Sequence, residues 1–466
     1  MTICRSSLLI LACSTVLAGC SLGPEYVRPE MPVPVELPHD GIYPAAASDA
    51  PDVTSIGWRD FFTDPRLVEL ISSGLANNRD LRVAAANVMQ ARAQYKVQRA
   101  DRLPSVGVSG SATRIETVSS GPDVAVDSYS LAVGVSAFEV DLFDRVANLS
   151  RAAQEQFFAS EEAQRATRIS LIAEIASAWL QLAADQDQLR ISQAALATYE
   201  ESLALSEARF RIGISSELEA RQAETAFQSA RADIAVLQSQ IEQDRNAIDL
   251  LLGTAAPSAL LPEALGEQDY TLSSLPVAVS SAVLLQRPDV LRAEHQLIAE
   301  NANIGAARAA FFPRISLTGL LGTASNALGG LFAGGSFSST TEGGLSLPIF
   351  DGGRNQSNLD YAEASQQLAV ANYEKAIQTA FREVADALAQ RGTIDDRLVA
   401  RTKQTASAST SLRLSRARYQ AGIDSYLVAL DAQRTAYASQ QQLVDTRLSR
   451  ALNLVNLYRV LGGGIV

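Results

Sequence analysis

Few side chains in this 466-residue chain are equipped for chemistry, and their positions narrow what that chemistry is. All three cysteines, Cys4, Cys13 and Cys20, fall within the first twenty residues. Arg5, the apolar run 8–17 and the small pair Ala18-Gly19 read as a secretory leader, too short for a stable membrane span. Leu17-Ala18-Gly19-Cys20 resembles a lipobox, so the expected reaction is cleavage before Cys20 and acylation of its thiol. Each methylene buried by such acyl chains contributes roughly 0.8 kcal/mol of anchoring. Beyond Cys20 the absence of cysteine excludes an intrachain disulfide and a thiolate metal site. His39 and His295 have neither a neighbouring nucleophile nor an HExxH spacing, and Asp395-Asp396 reads as a solvated helix face. No glycine-rich stretch ends in Lys-Ser/Thr, so no nucleotide loop is expected. The chain therefore reads as a non-enzyme without cofactor or metal.

The elements that carry these residues are written twice. Segment 203–220 (LALSEARFRIGISSELEA) lies over 412–429 (LRLSRARYQAGIDSYLVA) at an offset of 209, with 10 of 18 positions identical. The same offset carries Asp80 onto Asp289 and Pro104 onto Pro313, and a slightly different one matches LFD at 142–144 with IFD at 349–351. Each half repeats helix, two strands and two helices, which points to duplicated architecture rather than a single catalytic site. A helical pattern runs from about Asp64 to Arg102 and stops at Pro104. Residues 144–212 contain neither Gly nor Pro between Asp144 and Ile212, and 354–421 contain only Gly392. Stretches of that length would reach about 100 Å if straight. Charges recur along them, so they are not membrane spans. Ala223, Phe227, Ala230, Ile234, Leu237, Ile241 and Ile248 recur near every 3.5 residues, as in supercoiled helices.

Between the helices lie short alternating runs. Leu131, Val133 and Val135 share one face against small or polar neighbours, and Leu345, Leu347 and Ile349 repeat the pattern. This alternation fits a half-buried sheet or a membrane barrel with a wet lumen, and no single strand separates the two. Four strands cannot close a barrel, and an open edge cannot sit in lipid, so a membrane reading requires oligomerisation. Gly213 and Gly422 interrupt the long helices and read as C-caps at tight hairpin tips. The formal net charge of −12 fits simple solubility or a cation-favouring interior, and the lack of a basic stripe argues against nucleic acid. The expected organisation is a signal peptide at 1–19, a lipid-anchored Pro-rich tether at 20–60 and a first repeat at 61–256 with strands near 105–116 and 128–140. A linker at 257–279 then leads to a second repeat at 280–466 with strands near 314–325 and 337–349.

The runs GCSLGPEY (19–26), QRPDVLRAEHQLIAENANIGAARAAFFPRISLTG (286–319), PIFDGGRN (348–355) and YLVALDAQRTAY (426–437) resemble the TolC-type outer-membrane factors, within the lipidated OprM/NodT branch. The resemblance covers essentially the whole mature chain. It implies a mainly α fold with a transmembrane β-barrel. It also implies a homotrimer forming a 12-stranded β-barrel on a long 12-helix periplasmic α-barrel. Ser21 resembles the second residue of lipoproteins sorted to the outer membrane. The implied partners are outer-membrane lipid, a periplasmic adaptor protein and an inner-membrane pump of the RND type. The family's gates use charged and tyrosine side chains near the second tip, where the matching residues are Arg418, Tyr419, Asp424 and Leu427. Glu219 and Arg221 on the first hairpin are candidate ion partners, and Gly213, Ile214, Gly422 and Ile423 are the candidate adaptor contacts. The function implied is a passive exit duct of a tripartite efflux or export system. Two alternatives stand beside it: a periplasm-spanning scaffold without a pore, and the duct of a polypeptide secretion system.

Overall fold

The computed structural model describes residues 22–44, 56–117, 124–266, 270–272 and 280–463. The leader, Cys20 and Ser21 lie outside the described residues. Two compact units are present, and each takes segments from both sequence halves. The first comprises Met1–Glu30, Asn87–Glu161 and Arg292–Glu374, and the second comprises Met31–Ala86, Glu162–Leu291 and Lys375–Val466.

The helical pattern after Asp64 forms two helices rather than one, α1 (Pro65–Asn77) and α2 (Arg79–Ala100). Asp64 caps the first by accepting the Arg66 amide at 2.8 Å. Asn78 breaks the run because its side chain takes the Leu81 amide (2.8 Å), a local bond that competes with helix continuation. Strands β1 (Val106–Thr117) and β2 (Val124–Val140) follow. Helix α3 (Arg145–Arg211) is 67 residues long and turns into α4 (Glu217–Leu252). In the second half come α5 (Pro288–Ala309), β3 (Arg314–Ser325), β4 (Phe337–Ser346), α6 (Arg354–Gln420) and α7 (Tyr426–Val460). Strand β4 stops at Ser346, short of the expected 349, because Pro348 brings no N–H to a ladder. Strand β2 starts earlier than expected, at Val124.

In the first unit the strands form one antiparallel sheet in the order β1-β2-β3-β4. Its register places Val106 and Val108 opposite Val135 and Val133, and Val133 in turn opposite Leu321. Leu345 lies opposite Ile315 and Phe337 opposite Thr323. One face thus carries most of the large apolar side chains, and the reverse is mainly Gly, Ser, Ala and Thr, with Ser111 and Ser130 hydroxyls bonded at 2.8 Å. Val106, Val133, Leu321, Phe337 and Leu345 are all exposed, so nothing in the described chain covers that face. A bulge between Val135 and Phe138 puts Ala137 at φ 53°, and its amide donates to Thr318 Oγ1 at 3.0 Å.

The second unit has a conventional core. Phe61 stacks on Tyr458 with ring centroids 4.1 Å apart, and Trp179 meets Tyr270 edge-on while donating to the Leu260 carbonyl at 3.0 Å. Buried Arg287 donates to Asp289 (2.8 and 3.0 Å), to Glu383 (2.8 Å) and to the Val460 carbonyl that ends α7 (2.8 Å).

The segment read as a Pro-rich tether is strapped down where it is described. In the first unit Asn301 donates to the Pro24 carbonyl at 2.7 Å, and Arg28 grips Glu294 with two bonds of 2.7 and 2.9 Å. Tyr26 donates to the same carboxylate at 3.0 Å, and burial with Glu294 pushes its phenol upward. In the second unit Leu37 is buried, and the Val35 carbonyl accepts the Ser281 amide at 2.8 Å. The Ile42 carbonyl lies where a side chain on Gly392 would stand, which explains the single glycine inside α6. Gly392→Ala gains about 1 kcal/mol in helix propensity. The collision costs about 1–3 kcal/mol. A net loss of stability with faster proteolysis inside 29–44 is therefore expected, and unchanged cleavage would show that the strap does not need the glycine.

Candidate functional site

Both hairpin tips lie in the second unit and share one construction. Helix α3 closes with Gly213 at φ 78°, the Ile214 amide bonding Arg209 O (3.0 Å) and the Gly213 amide bonding Phe210 O (2.9 Å). Helix α6 closes identically: Gly422 is at φ 74°, Ile423 bonds Arg418 O (2.9 Å) and Gly422 bonds Tyr419 O (3.0 Å). This Schellman pairing demands a left-handed residue, and only glycine takes it without strain. Ile214 and Ile423 follow directly and project apolar side chains into solvent, as do Ile212 and Leu427.

The ion pairs differ from expectation. Arg418 does not reach a neighbouring helix; its Nε and Nη2 clasp Asp424 across its own turn at 2.6 and 2.9 Å. That hydrogen-bonded guanidinium holds the Asp424 carboxyl below its ordinary range. Glu219 and Arg221 also stay within their own hairpin. Glu219 accepts from Ser215 at 2.5 Å, and Arg221 pairs with Glu217 (3.3 Å) and Glu224 (2.8 Å). Tyr419 is only 4% exposed, packed with Tyr199, Ala223, Ala226, Tyr426 and Leu430, so in a single chain it is a core residue. Its ring lies 5.5 Å from that of Tyr426, whose phenol is pushed up to about 12 by burial beside Tyr419 and Tyr199. Leu427 alone of the four second-tip residues presents an exposed apolar surface.

The bonds that join one hairpin to the other come from residues that the sequence did not single out. Arg209 occupies the repeat position of Arg418, but Ser215 stands where Asp424 would. Lacking that acid, Arg209 crosses to the other hairpin and lies 4.9 Å from the centre of the Tyr419 ring. Arg416 of α6 pairs with Glu201 of α3, and further along Gln433 donates to Ser202 at 2.8 Å. Tyr437 bonds both Ser192 (2.8 Å) and Asp233 (3.1 Å). The 209-residue offset held the signal, since it aligned Arg209 with Arg418 and an acid with a serine.

The remaining chemistry-capable groups have structural partners. His295 meets Glu155 at 2.7 Å, and Asp395 pairs with Arg391 (3.1 Å) and Arg450 (2.9 Å). Among the described residues no cluster of three or more His, Cys, Asp or Glu side chains is arranged to hold a metal ion, and no helix is long and apolar enough to cross a membrane.

Comparison with known proteins agrees with this geometry. The family model for outer membrane efflux protein matches residues 70–254 and 279–463, both repeats in turn. The chain is 43% identical over 463 residues to the toluene efflux pump outer membrane protein TtgC of Pseudomonas putida, covering 98% of this chain and 96% of that one. It is also 43% identical over 461 residues to the cation efflux system protein CusC of Escherichia coli, covering 98% and 99%. The open-state outer membrane channel MtrE of Neisseria gonorrhoeae superposes with a TM-score of 0.85 at 38% identity, covering 96% and 99%. A duplicated chain that carries its polar bonds between helices and leaves one sheet face bare belongs to the outer membrane efflux protein family: it is a non-enzymatic channel of the outer membrane that extends into the periplasm and passes efflux cargo.

Proposed function

We propose that three copies of the chain close a twelve-stranded barrel and a twelve-helix tube, and that this trimer is the passive exit duct of a tripartite efflux system. The observation that carries the reading is the sheet: four strands with two open edges and an uncovered apolar face. An unpaired edge is not tolerated in lipid, and eight strands is the smallest closed barrel, so the edges of β1 and β4 call for partners. Identical copies supply them by joining β4 of one chain to β1 of the next. Lipidation at Cys20 would anchor the strap's origin to the outer membrane. The leader at 1–19, the repeats at 61–256 and 280–466 and the linker at 257–279 complete the proposed organisation.

The exposed Ile214 and Ile423 beside Gly213 and Gly422 suit an apolar contact with a periplasmic adaptor, which would connect the duct to an inner-membrane pump of the RND type. Cargo is not chosen by the duct on this reading. A toluene pump component and a cation system component are equally similar to the chain, at 43% identity each. The gate is placed at the tips, with Leu427 as the apolar constriction and Arg418–Asp424 stiffening the turn beside it. Arg209 on Tyr419 and Arg416 on Glu201 hold the two hairpins together.

The test is the mass and planar-bilayer conductance of the detergent-purified protein. A three-chain particle with small conductance steps is expected. Exposed contacts of this kind contribute roughly 1 kcal/mol or less each, so Arg209→Ala with Arg416→Ala should raise conductance several-fold. A monodisperse monomer would sink the duct, and a trimer that never conducts, even with both arginines removed, would favour the scaffold.

A further inference from the structure

The two repeats differ in chemistry at the seam of their helical hairpins. In the first repeat Asp185 of α3 and Asp244 of α4 lie within hydrogen-bonding reach of one another, each only 8% exposed. The Gln181 amide is shared between both oxygens of Asp185 at 3.2 Å, and the Gln240 amide serves Asp244 Oδ1 at 3.0 Å. Asp244 Oδ2 is buried and has no donor. The 209-residue offset carries this pair onto Ile394 and Asn453, which are buried and neutral. The same fold therefore closes the second seam with no acid at these two buried positions, its nearby Asp395 being paired with Arg450 instead, and the acid pair in the first repeat is not a packing requirement.

The charged groups on the surrounding elements are engaged elsewhere. Asp187 pairs with Arg190 and accepts the Leu265 and Gly266 amides of the linker at 3.0 and 3.1 Å. Arg245 pairs with Glu242 at 2.6 Å, and Asp445 on α7 accepts the Gln188 amide at 3.0 Å. Glu263 lines an outer groove with Arg190 and Arg245. No cation therefore reaches the facing carboxylates among the described residues. Two bare carboxylates in one buried seam repel, and a proton placed between them supplies the missing donor.

We propose that Asp185 and Asp244 form a proton-binding site, a carboxyl–carboxylate hydrogen bond that fastens α3 to α4 and loosens when the proton leaves. In agreement, burial and the neighbouring Asp244 push the Asp185 carboxyl up to about 6. An acid raised in the folded state stabilises the fold most below its unfolded pKa, and that stability is lost as pH rises through the folded value. The first seam should thus be tight in acid and weaker in neutral medium, while the second seam, where Ile394 and Asn453 bring no titratable group to the same two positions, should not respond over that range.

The test uses the full-length protein in detergent. The wild type should show a carboxylic C=O infrared band that titrates away near pH 6, together with a thermal midpoint that falls over the same range. Asp185→Asn and Asp244→Asn should each remove the band and flatten the midpoint between pH 5 and 8. The double variant Asp185→Ile with Asp244→Asn copies the second seam and should fold and be pH-insensitive. A band that persists in both single variants would overturn the proposal, as would a wild-type midpoint independent of pH. Stabilisation by magnesium at pH 8 that Asp185→Asn abolishes would likewise overturn it, because the occupant would then be a metal ion.

Discussion

Arg287→Met is expected to lower the unfolding free energy of the detergent-solubilised protein by about 3–5 kcal/mol. The side chain is buried, and its donors are placed on Asp289, Glu383 and the terminal carbonyl of α7. Methionine fills the volume but leaves two carboxylates and one helix-end carbonyl without their donor, which is the costly way to break a buried pair. Burial alone would raise the Asp289 carboxyl, and the Arg287 bonds more than offset it, holding the carboxyl below its ordinary range. The sign follows: this stability is present above the unfolded carboxylate pKa and is lost as pH falls through the lowered folded value. Denaturant titrations at pH 7 and pH 3 should therefore show the gap between wild type and variant narrowing in acid. A loss below about 1 kcal/mol at pH 7 would mean that the network is dispensable. The first repeat has a weaker version of the same clasp, since Asn78 occupies the position of Arg287 and donates to Leu251 O at 2.9 Å. Asn78→Ala should cost only about 1–2 kcal/mol.

Tyr419→Ala should be the most damaging change at the tips, at about 3–5 kcal/mol, because it removes a buried ring from between both hairpins. The lost contacts include the Tyr426 ring at 5.5 Å and the Arg209 guanidinium at 4.9 Å. Tyr419→Phe should be nearly silent. The hydroxyl it deletes lies 3.4 Å from Ser206 Oγ, at the outer limit of a hydrogen bond. Amide exchange across 199–230 and 419–430 would separate the two, with faster exchange in the alanine variant alone. Equal effects from both would assign Tyr419 to hydroxyl chemistry rather than packing.

Much of the architecture was legible because it rests on periodicity and punctuation. The offset of 209, the Gly-free runs and the alternation around Leu131 and Val133 locate helices, tips and strands. Proline and asparagine gave the errors of extent. Pro348 shortened β4, and Asn78 split one helical pattern through a bond to its own backbone. The strap was not legible, since a Pro-rich composition describes an unpaired chain equally well. Its anchors are polar contacts to residues more than 200 positions away, such as Arg28 to Glu294. Among the candidate site residues the glycines were the easiest to place, because a left-handed turn has few solutions. The ion partners were the hardest. Arg418 had acids at several distances in sequence, and only the folded turn selects Asp424.

The open sheet also has a genetic consequence. A subunit whose β1 and β4 edges are completed only by its sisters is an unfinished object, and on the three-copy closure proposed here every seam depends on two chains. A defective copy that still assembles would spoil its sound sisters. With equal expression of both forms and random mixing, roughly one tube in eight would be wholly sound, as the arithmetic of a closed ring of three requires. Edge-strand lesions in this channel should therefore behave as dominant alleles, while lesions that abolish folding, and so never enter a ring, should be recessive.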